Sequence, residues 1–299
     1  MVRAETISLS VTQLIRMKIS DYAMLAKLRL SFLVVFSAVI GYLFASPVVI
    51  SVPSLVLLAI GGMLVTGASN AINQIIERDI DKLMTRTQTR PLPTERMNTL
   101  EAILAAGVMG ISGILILTYF FNPIAGVLSA ISLLSYAFVY TPLKRVSSVA
   151  VFVGAIPGAL PPMIGYVCAT GQIDFVAIIL FSIQFIWQFP HFWSIAWIQF
   201  EDYKKAGIML LPSVSGKTRM SAIQNVIYCA VLLVVSMLPY FLNMVNVFGA
   251  VFMAAAGVVF LWMAWQHYRK CEDSTARVLM FGSFLYLPVV QLALVFGKI

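Results

Sequence analysis

Read for its alternation of apolar and polar positions, the chain is a series of long apolar runs broken by short charged stretches. The runs lie near 24–45, 51–77, 98–119, 123–140, 148–169, 174–199, 220–241, 245–267 and 277–297. Each is close to the roughly 20 residues that a helix needs to cross a bilayer. A helix is the element that suits such a run, because it satisfies its own backbone hydrogen bonds where lipid cannot. The pattern predicts an all-α integral membrane protein with nine transmembrane helices.

Composition agrees. Hydrophobic residues make up 61% of the 299, only 11% are charged, and the mean hydropathy is +0.94. A soluble domain carries about 45–50% apolar residues and could not hide so many. The net charge of +8 does not point to nucleic acid, because the basic residues alternate with topology. They crowd the N-terminal segment and the stretches after spans two, four, six and eight. The loops around Ser46–Pro47, Asn122–Pro123, Thr170–Gln172 and Leu242–Asn246 have none. Lys298 is the one basic residue on the other side. The positive-inside rule then sets the N-terminus in the cytoplasm and the C-terminus outside, which requires an odd number of spans.

Cys168, Cys229 and Cys271 are isolated and read as packing residues rather than zinc ligands or disulfides. The first twenty residues, with Arg3, Glu5, Arg16 and Lys18, resemble neither a signal nor a transit peptide. A bacterial inner membrane is therefore expected. Residues 1–299 read as a single membrane-embedded domain, with 1–22 a cytoplasmic segment.

Two clusters at the cytoplasmic rim carry candidate chemistry. In the first, Asn73, Glu77 and Asp81 fall at i, i+4 and i+8, on nearly one face at the inner end of span two. Stacked oxygen ligands suit Mg²⁺, which bridges one or two carboxylates to a substrate phosphate. Lys82, Arg86 and Arg90 follow, the last before Pro91 and Pro93, and complete a metal-plus-phosphate cradle. The plainer alternatives are acid–base pairs closing the helix with Arg78 and Lys82, and an ordinary positive-inside loop. Asp79, two residues from both acids, points to the opposite face of a continuous helix and is the weaker metal candidate.

The second cluster runs from Trp187-Gln-Phe-Pro190-His191-Phe192 to Glu201-Asp202-Tyr203-Lys204-Lys205 at the inner end of span six. His191 lies about 10 Å inside that end at 1.5 Å per residue. An intramembrane histidine is a functional candidate, the alternative being a hydrogen-bonded core residue; His267 reads as interfacial. Tyr140-Thr-Pro-Leu-Lys144-Arg145 ends span four. Pro157, Pro161 and Pro162 are expected to bend or break span five, either around a substrate cavity or as a packing kink.

These motifs resemble the UbiA-type intramembrane prenyltransferases, whose first acidic motif N-x-x-x-D-x-x-x-D is similar to Asn73…Glu77…Asp81. The details resemble the haem-farnesylating branch of that family. Those details are Glu77-Arg-Asp79-Ile-Asp81…Met84-x-Arg86-Thr…Arg90-Pro-Leu, Tyr140-Thr-Pro-Leu-Lys144-Arg145, Gly158-Ala-Leu-Pro-Pro-Met-Ile-Gly165-Tyr, Trp187-Gln-x-Pro-His191-Phe and Asp202-Tyr203-x-x-Ala206-Gly207. They cover residues 70–212, and the last three spans add only topology. Two positions depart from the pattern: Glu77 stands where the family usually has Asp, and Ile198 stands four residues before Asp202 in place of a second carboxylate.

The resemblance implies farnesyl diphosphate and haem B as substrates and Mg²⁺ as cofactor. It implies Asn73, Glu77, Asp81, Asp202, Lys144 and Tyr140 as catalytic residues, and Glu77, Asp81, Asp202 and, more weakly, Asp79 as metal ligands. Arg86, Arg90, Lys144, Arg145 and Lys204 would bind diphosphate, with His191 a haem-binding candidate. The active-site loops would be 78–98, 141–147 and 200–219, and the partners haem A synthase or oxidase assembly factors. The rival readings are a quinone-precursor or chlorin acceptor and, in a different class, a secondary transporter. Rim clusters without an inverted repeat favour the enzyme.

Overall fold

The computed structural model describes residues 10–46, 51–213 and 215–299. Arg3, Glu5 and Pro47, and the Val214 position of the last expected active-site loop, lie outside the described residues. Among the described residues nine helices are long and apolar enough to cross a membrane. They are α2 (Leu28–Ala45), α3 (Val52–Asp81), α4 (Thr99–Phe120), the α5 unit, α7 (Ala150–Thr170), α8 (Phe175–Ile198), α10 (Arg219–Phe241), α11 (Val247–Lys270) and α12 (Asp273–Phe296). In the α5 unit, α5 (Pro123–Leu134) continues through a π-helical segment, Ser135–Tyr140, into α6 (Thr141–Leu143). The all-α, nine-span expectation is met.

Several spans begin where a polar side chain takes an orphan backbone N–H. The Asn98 carboxamide oxygen accepts from the Glu101 amide at 2.7 Å, and Asp174 accepts from the amides of Val176 and Ala177. Helix α3 runs four residues past the expected end. That extension keeps Asn73, Glu77 and Asp81 on one continuous helix.

Two short helices lie outside the spans. One is α9 (Phe200–Lys205). The other is α1 (Val11–Leu25), within what reads from sequence as a plain N-terminal segment. A capping box starts α1, with Ser10 and Gln13 each accepting from the other's amide. Its Asp21 and Lys18 reach the start of the next hairpin: Arg96 Nε donates to Asp21 at 2.9 Å, and Lys18 pairs with Glu101 at 2.9 Å. Val11, Ile15 and Ile19 form an apolar, exposed stripe along α1.

The three prolines do not break span five. Helix α7 is continuous through Pro157, Pro161 and Pro162, because neighbouring side chains replace what proline removes. Pro161 and Pro162 lack the N–H groups that would bond the carbonyls four residues back. The Pro157 carbonyl accepts instead from Ser132 Oγ at 3.2 Å, and the Gly158 carbonyl from Gln184 Nε2 at 2.8 Å. Gln291 Nε2 then links Gln184 Oε1 at 3.0 Å and Ser37 Oγ at 2.9 Å, tying α2, α8 and α12 together in the middle of the bundle.

On its other side α7 meets α2 backbone to backbone. A Cβ at Gly165 would lie 1.7 Å from the Ala38 carbonyl oxygen, and one at Gly41 1.9 Å from that of Pro162. His267, in the last turn of α11, is fully enclosed by protein, with Nδ1 3.1 Å from Thr275 Oγ1 and the Trp197 ring edge-on at 4.5 Å. Cys168 and Cys229 are buried and free, as packing residues should be.

Candidate active site

The site grows from the C-terminal end of α3. Asn73, Glu77 and Asp81 are buried, at 2%, 3% and 0% exposure, and each is held by a group from another element. Asn73 Nδ2 donates to Glu77 Oε2 at 2.9 Å and to Thr141 Oγ1 at 3.2 Å. Lys144 forms an ion pair with Glu77. Arg90 donates to Asp81 Oδ2 at 2.6 Å, and that guanidinium is 15% exposed. The stretch between them folds back because Thr87 Oγ1 donates to the Asp81 carbonyl at 2.9 Å.

The irregular backbone expected in span five lies one span earlier. In the π-helical segment Thr141 Oγ1 reaches the carbonyl of Tyr136, five residues back, at 2.9 Å. Single π-turns of this kind recur at functional sites. The turn puts Tyr136 and Tyr140 side by side, ring centroids 5.2 Å apart, with the Lys144 ammonium 5.7 Å above the Tyr140 ring. Helix α7 has no side chain at Gly154, where a Cβ would come within 2.5 Å of that ring.

One basic residue escapes the sequence reading. Lys27, in the break between α1 and α2, has a left-handed backbone (φ 48°) and brings its Nζ to 3.2 Å from Asn73 Oδ1. Burial, and then the charges of Arg90 and Lys144, pull this ammonium down to about 7. The pocket therefore has a surplus of positive charge: Lys27, Lys144 and Arg90 face two carboxylates, with Arg86 on the exposed side. Only the position of Lys27 at the head of the first span could have marked it.

At the rim, Asp202 receives Thr85 Oγ1 at 3.2 Å and Lys205 Nζ at 3.2 Å. Burial alone would raise its carboxyl, but these bonds, with one from the Arg86 amide, outweigh it and hold the group below the ordinary value. The 78–98 and 200–219 segments thus meet through Thr85 and Asp202. Half-buried Tyr203 borders a cavity of about 410 Å³ formed with Ser147, Ala196, Lys204 and Met209.

Asn73, Glu77, Asp81, Tyr140, Lys144 and Arg90 come together with Arg86 at the margin, while Asp79, Arg145, Asp202, Lys204 and His191 stand apart. Asp79 projects away, 75% exposed beside Arg78. Arg145 and Lys204 are exposed and join no ion pair among the described residues. Among the described residues no three of His, Cys, Asp and Glu converge, so Asp202 does not join Glu77 and Asp81 here. His191 lies deeper in α8, stacked on Trp187.

A Mg²⁺ site fits the two paired acids. Asp81 Oδ1 is buried without a hydrogen-bond partner, an oxygen facing inward with no donor to satisfy it. Two carboxylates plus phosphate oxygens and waters make the donor set that Mg²⁺ prefers.

Buried acids paired with a surplus of bases at one end of an all-α membrane bundle suit the binding of an anionic group. The chain belongs to the UbiA prenyltransferase family, whose sequence profile matches residues 34–287, and it is a prenyltransferase. Within that family the similarity narrows to the protohaem IX farnesyltransferases. It is 46% identical to that of Cytophaga hutchinsonii, over 93% of this chain and 97% of the relative. It is 43% identical to that of Flavobacterium johnsoniae, over 93% and 94%.

Solved structures share the fold. A digeranylgeranylglyceryl phosphate synthase has a TM-score of 0.79 at 20% identity, covering 94% of this chain and 98% of that one. A UbiA homologue from Archaeoglobus fulgidus bound to GPP and Mg²⁺ has 0.71 at 15% identity, covering 92% and 99%.

Proposed function

We propose that this enzyme transfers the farnesyl group of farnesyl diphosphate to the 2-vinyl group of haem B, with addition of water, giving haem O for haem–copper oxidase assembly. The observation that carries the chemical half is the pair of buried acid–base contacts, Glu77 with Lys144 and Asp81 with Arg90. The acceptor and donor rest on the similarity to protohaem IX farnesyltransferases.

Each acid is neutralised by a base. With substrate bound, Glu77 and Asp81 would hold Mg²⁺, which would neutralise charge on the diphosphate leaving group. Lys144 and Arg90, released from their acids, take non-bridging phosphate oxygens together with Lys27 and Arg86. The C1–O bond of farnesyl diphosphate breaks with both electrons leaving on diphosphate. Tyr140 and Tyr136 present ring faces to the allylic cation and keep water from it. The vinyl π bond attacks C1 of that cation. The carbon left positive beside the porphyrin is captured by water, which then loses a proton. No protein nucleophile takes part. Asp202 closes the rim through Thr85 and joins the metal only if the two loops draw together.

The domain is one unit, set in the bacterial inner membrane with the acid–base rim on the cytoplasmic side, as the distribution of basic residues supports. Haem A synthase and oxidase assembly factors are the partners this role requires. The test is conversion of haem B by the purified protein with farnesyl diphosphate and Mg²⁺, read by mass. Product carrying farnesyl plus one water is expected. Absence of conversion, or retained conversion in Glu77→Gln/Asp81→Asn, overturns the reading.

A further inference from the structure

His191 on α8 and Ser283 on α12 share a hydrogen bond whose direction a third atom decides. Ser283 Oγ lies 2.7 Å from His191 Nδ1 and 2.5 Å from the carbonyl oxygen of Met280. Two oxygens that close need a hydrogen between them, and a serine hydroxyl has only one. With that hydrogen given to Met280, Ser283 Oγ can only accept from the histidine. Nδ1 therefore carries the ring proton, and Nε2 is left with a bare lone pair.

The ring is also fixed in orientation. Trp187 stacks on it, centroids 4.7 Å apart and planes at 15°, and Phe284 meets it edge-on at 4.8 Å. Trp187 Nε1 donates to the Ser283 backbone carbonyl at 2.9 Å, which locks the two helices at this level. The other histidine makes a useful contrast. His267 Nε2 is sealed from solvent without a partner, whereas His191 keeps 8% of its surface open. The ring neighbours of His191 are aromatic, and no carboxylate or ammonium bonds it among the described residues. An oriented, neutral imidazole in apolar surroundings with Nε2 free is a haem-iron ligand in form.

We propose that Ser283 is a positioning residue, holding His191 in the tautomer whose Nε2 coordinates the iron of the haem acceptor. This rests on haem being the acceptor. Partners that fix the tautomer of a metal-binding histidine contribute 10- to 100-fold in affinity as a rule.

The experiment titrates ferric haem B into the purified full chain in nanodiscs, following Soret absorbance and electron paramagnetic resonance. Variants are His191→Ala, Ser283→Ala, Ser283→Cys and Ser283→Thr, each checked for farnesyl diphosphate affinity as a measure of folding. Expected are a nitrogen-ligated signal in the unsubstituted protein, its loss in His191→Ala, and about 10-fold or weaker haem binding with an altered signal in Ser283→Ala. Ser283→Thr, which retains the hydroxyl, restores both. If Ser283→Ala fails the folding check, Ser283→Cys takes its place. Unchanged affinity and spectrum in the Ser283 variants overturn the positioning role, and an unchanged spectrum in His191→Ala overturns ligation. Either failure leaves the farnesylation assay positive, whereas failure of the proposed function shows as absence of haem conversion in the unsubstituted protein.

Discussion

Lys144 and Glu77 come from the C-terminal ends of different spans and form an ion pair nearly closed to water, with 12% and 4% of their side chains exposed. Removing one partner of such a pair leaves the other stranded, at a cost of about 3–5 kcal/mol, while replacing both can be neutral. Glu77→Gln and Lys144→Met should therefore each lower the thermal midpoint in detergent. The double variant should recover most of it, yet all three should be inactive. A double variant as unstable as the sum of the singles would show that the two side chains are not coupled.

Lys27 should set a pH dependence. Burial and its basic neighbours draw its ammonium down to about 7, and an anionic diphosphate beside it must raise that value. Its contribution to affinity is thus complete below pH 7 and fades as pH rises through 7 toward the bound-state value. KM for farnesyl diphosphate should climb between pH 7 and 9 in the unsubstituted enzyme. In Lys27→Met it should be about tenfold higher at pH 6.5, the scale of one charge-assisted hydrogen bond, and free of that climb. Lys27→Arg, charged throughout, should keep a low KM. Parallel profiles for all three would exclude a phosphate contact.

Helix α1 holds the 82–98 segment through Asp21 and Arg96, whose Nη2 also donates to the Thr89 carbonyl at 3.0 Å. Asp21→Ala should speed amide hydrogen exchange across 82–98 and raise KM for farnesyl diphosphate several-fold. Exchange in the middle of α3 should stay as it was. A change confined to α1 itself would mean that the contact is ornamental.

Gln184 offers a test of the proline-bearing helix. Gln184→Leu leaves the Gly158 carbonyl without its donor, and the cost should be about 1–2 kcal/mol of stability inside a membrane bundle. Pro162→Ala in that background, by restoring the amide, should return part of it. If Pro162→Ala is no better there than in the parent, the side chain was not compensating the proline.

What could be read from the sequence followed from properties local to each segment. The apolar runs placed the spans within a few residues, and the i, i+4, i+8 spacing was enough to align Asn73, Glu77 and Asp81. What escaped depended on other segments. The continuity of α7 needed Ser132 and Gln184 from neighbouring helices. Lys27 looked like one more charge at a membrane boundary until α3 brought Asn73 beside it. The π-turn at Tyr136–Tyr140 left no mark in hydropathy. The burial of His267 needed Trp197, two spans away.

The glycine contact between α2 and α7 also fixes how near these two helices stand. With Gly41 and Gly165 pressing backbone on backbone, there is no room at either level for even a methyl group. Any larger residue at either position must push α2 and α7 apart, and with them the Ser37–Gln291–Gln184 link that joins α2 to α12 and α8.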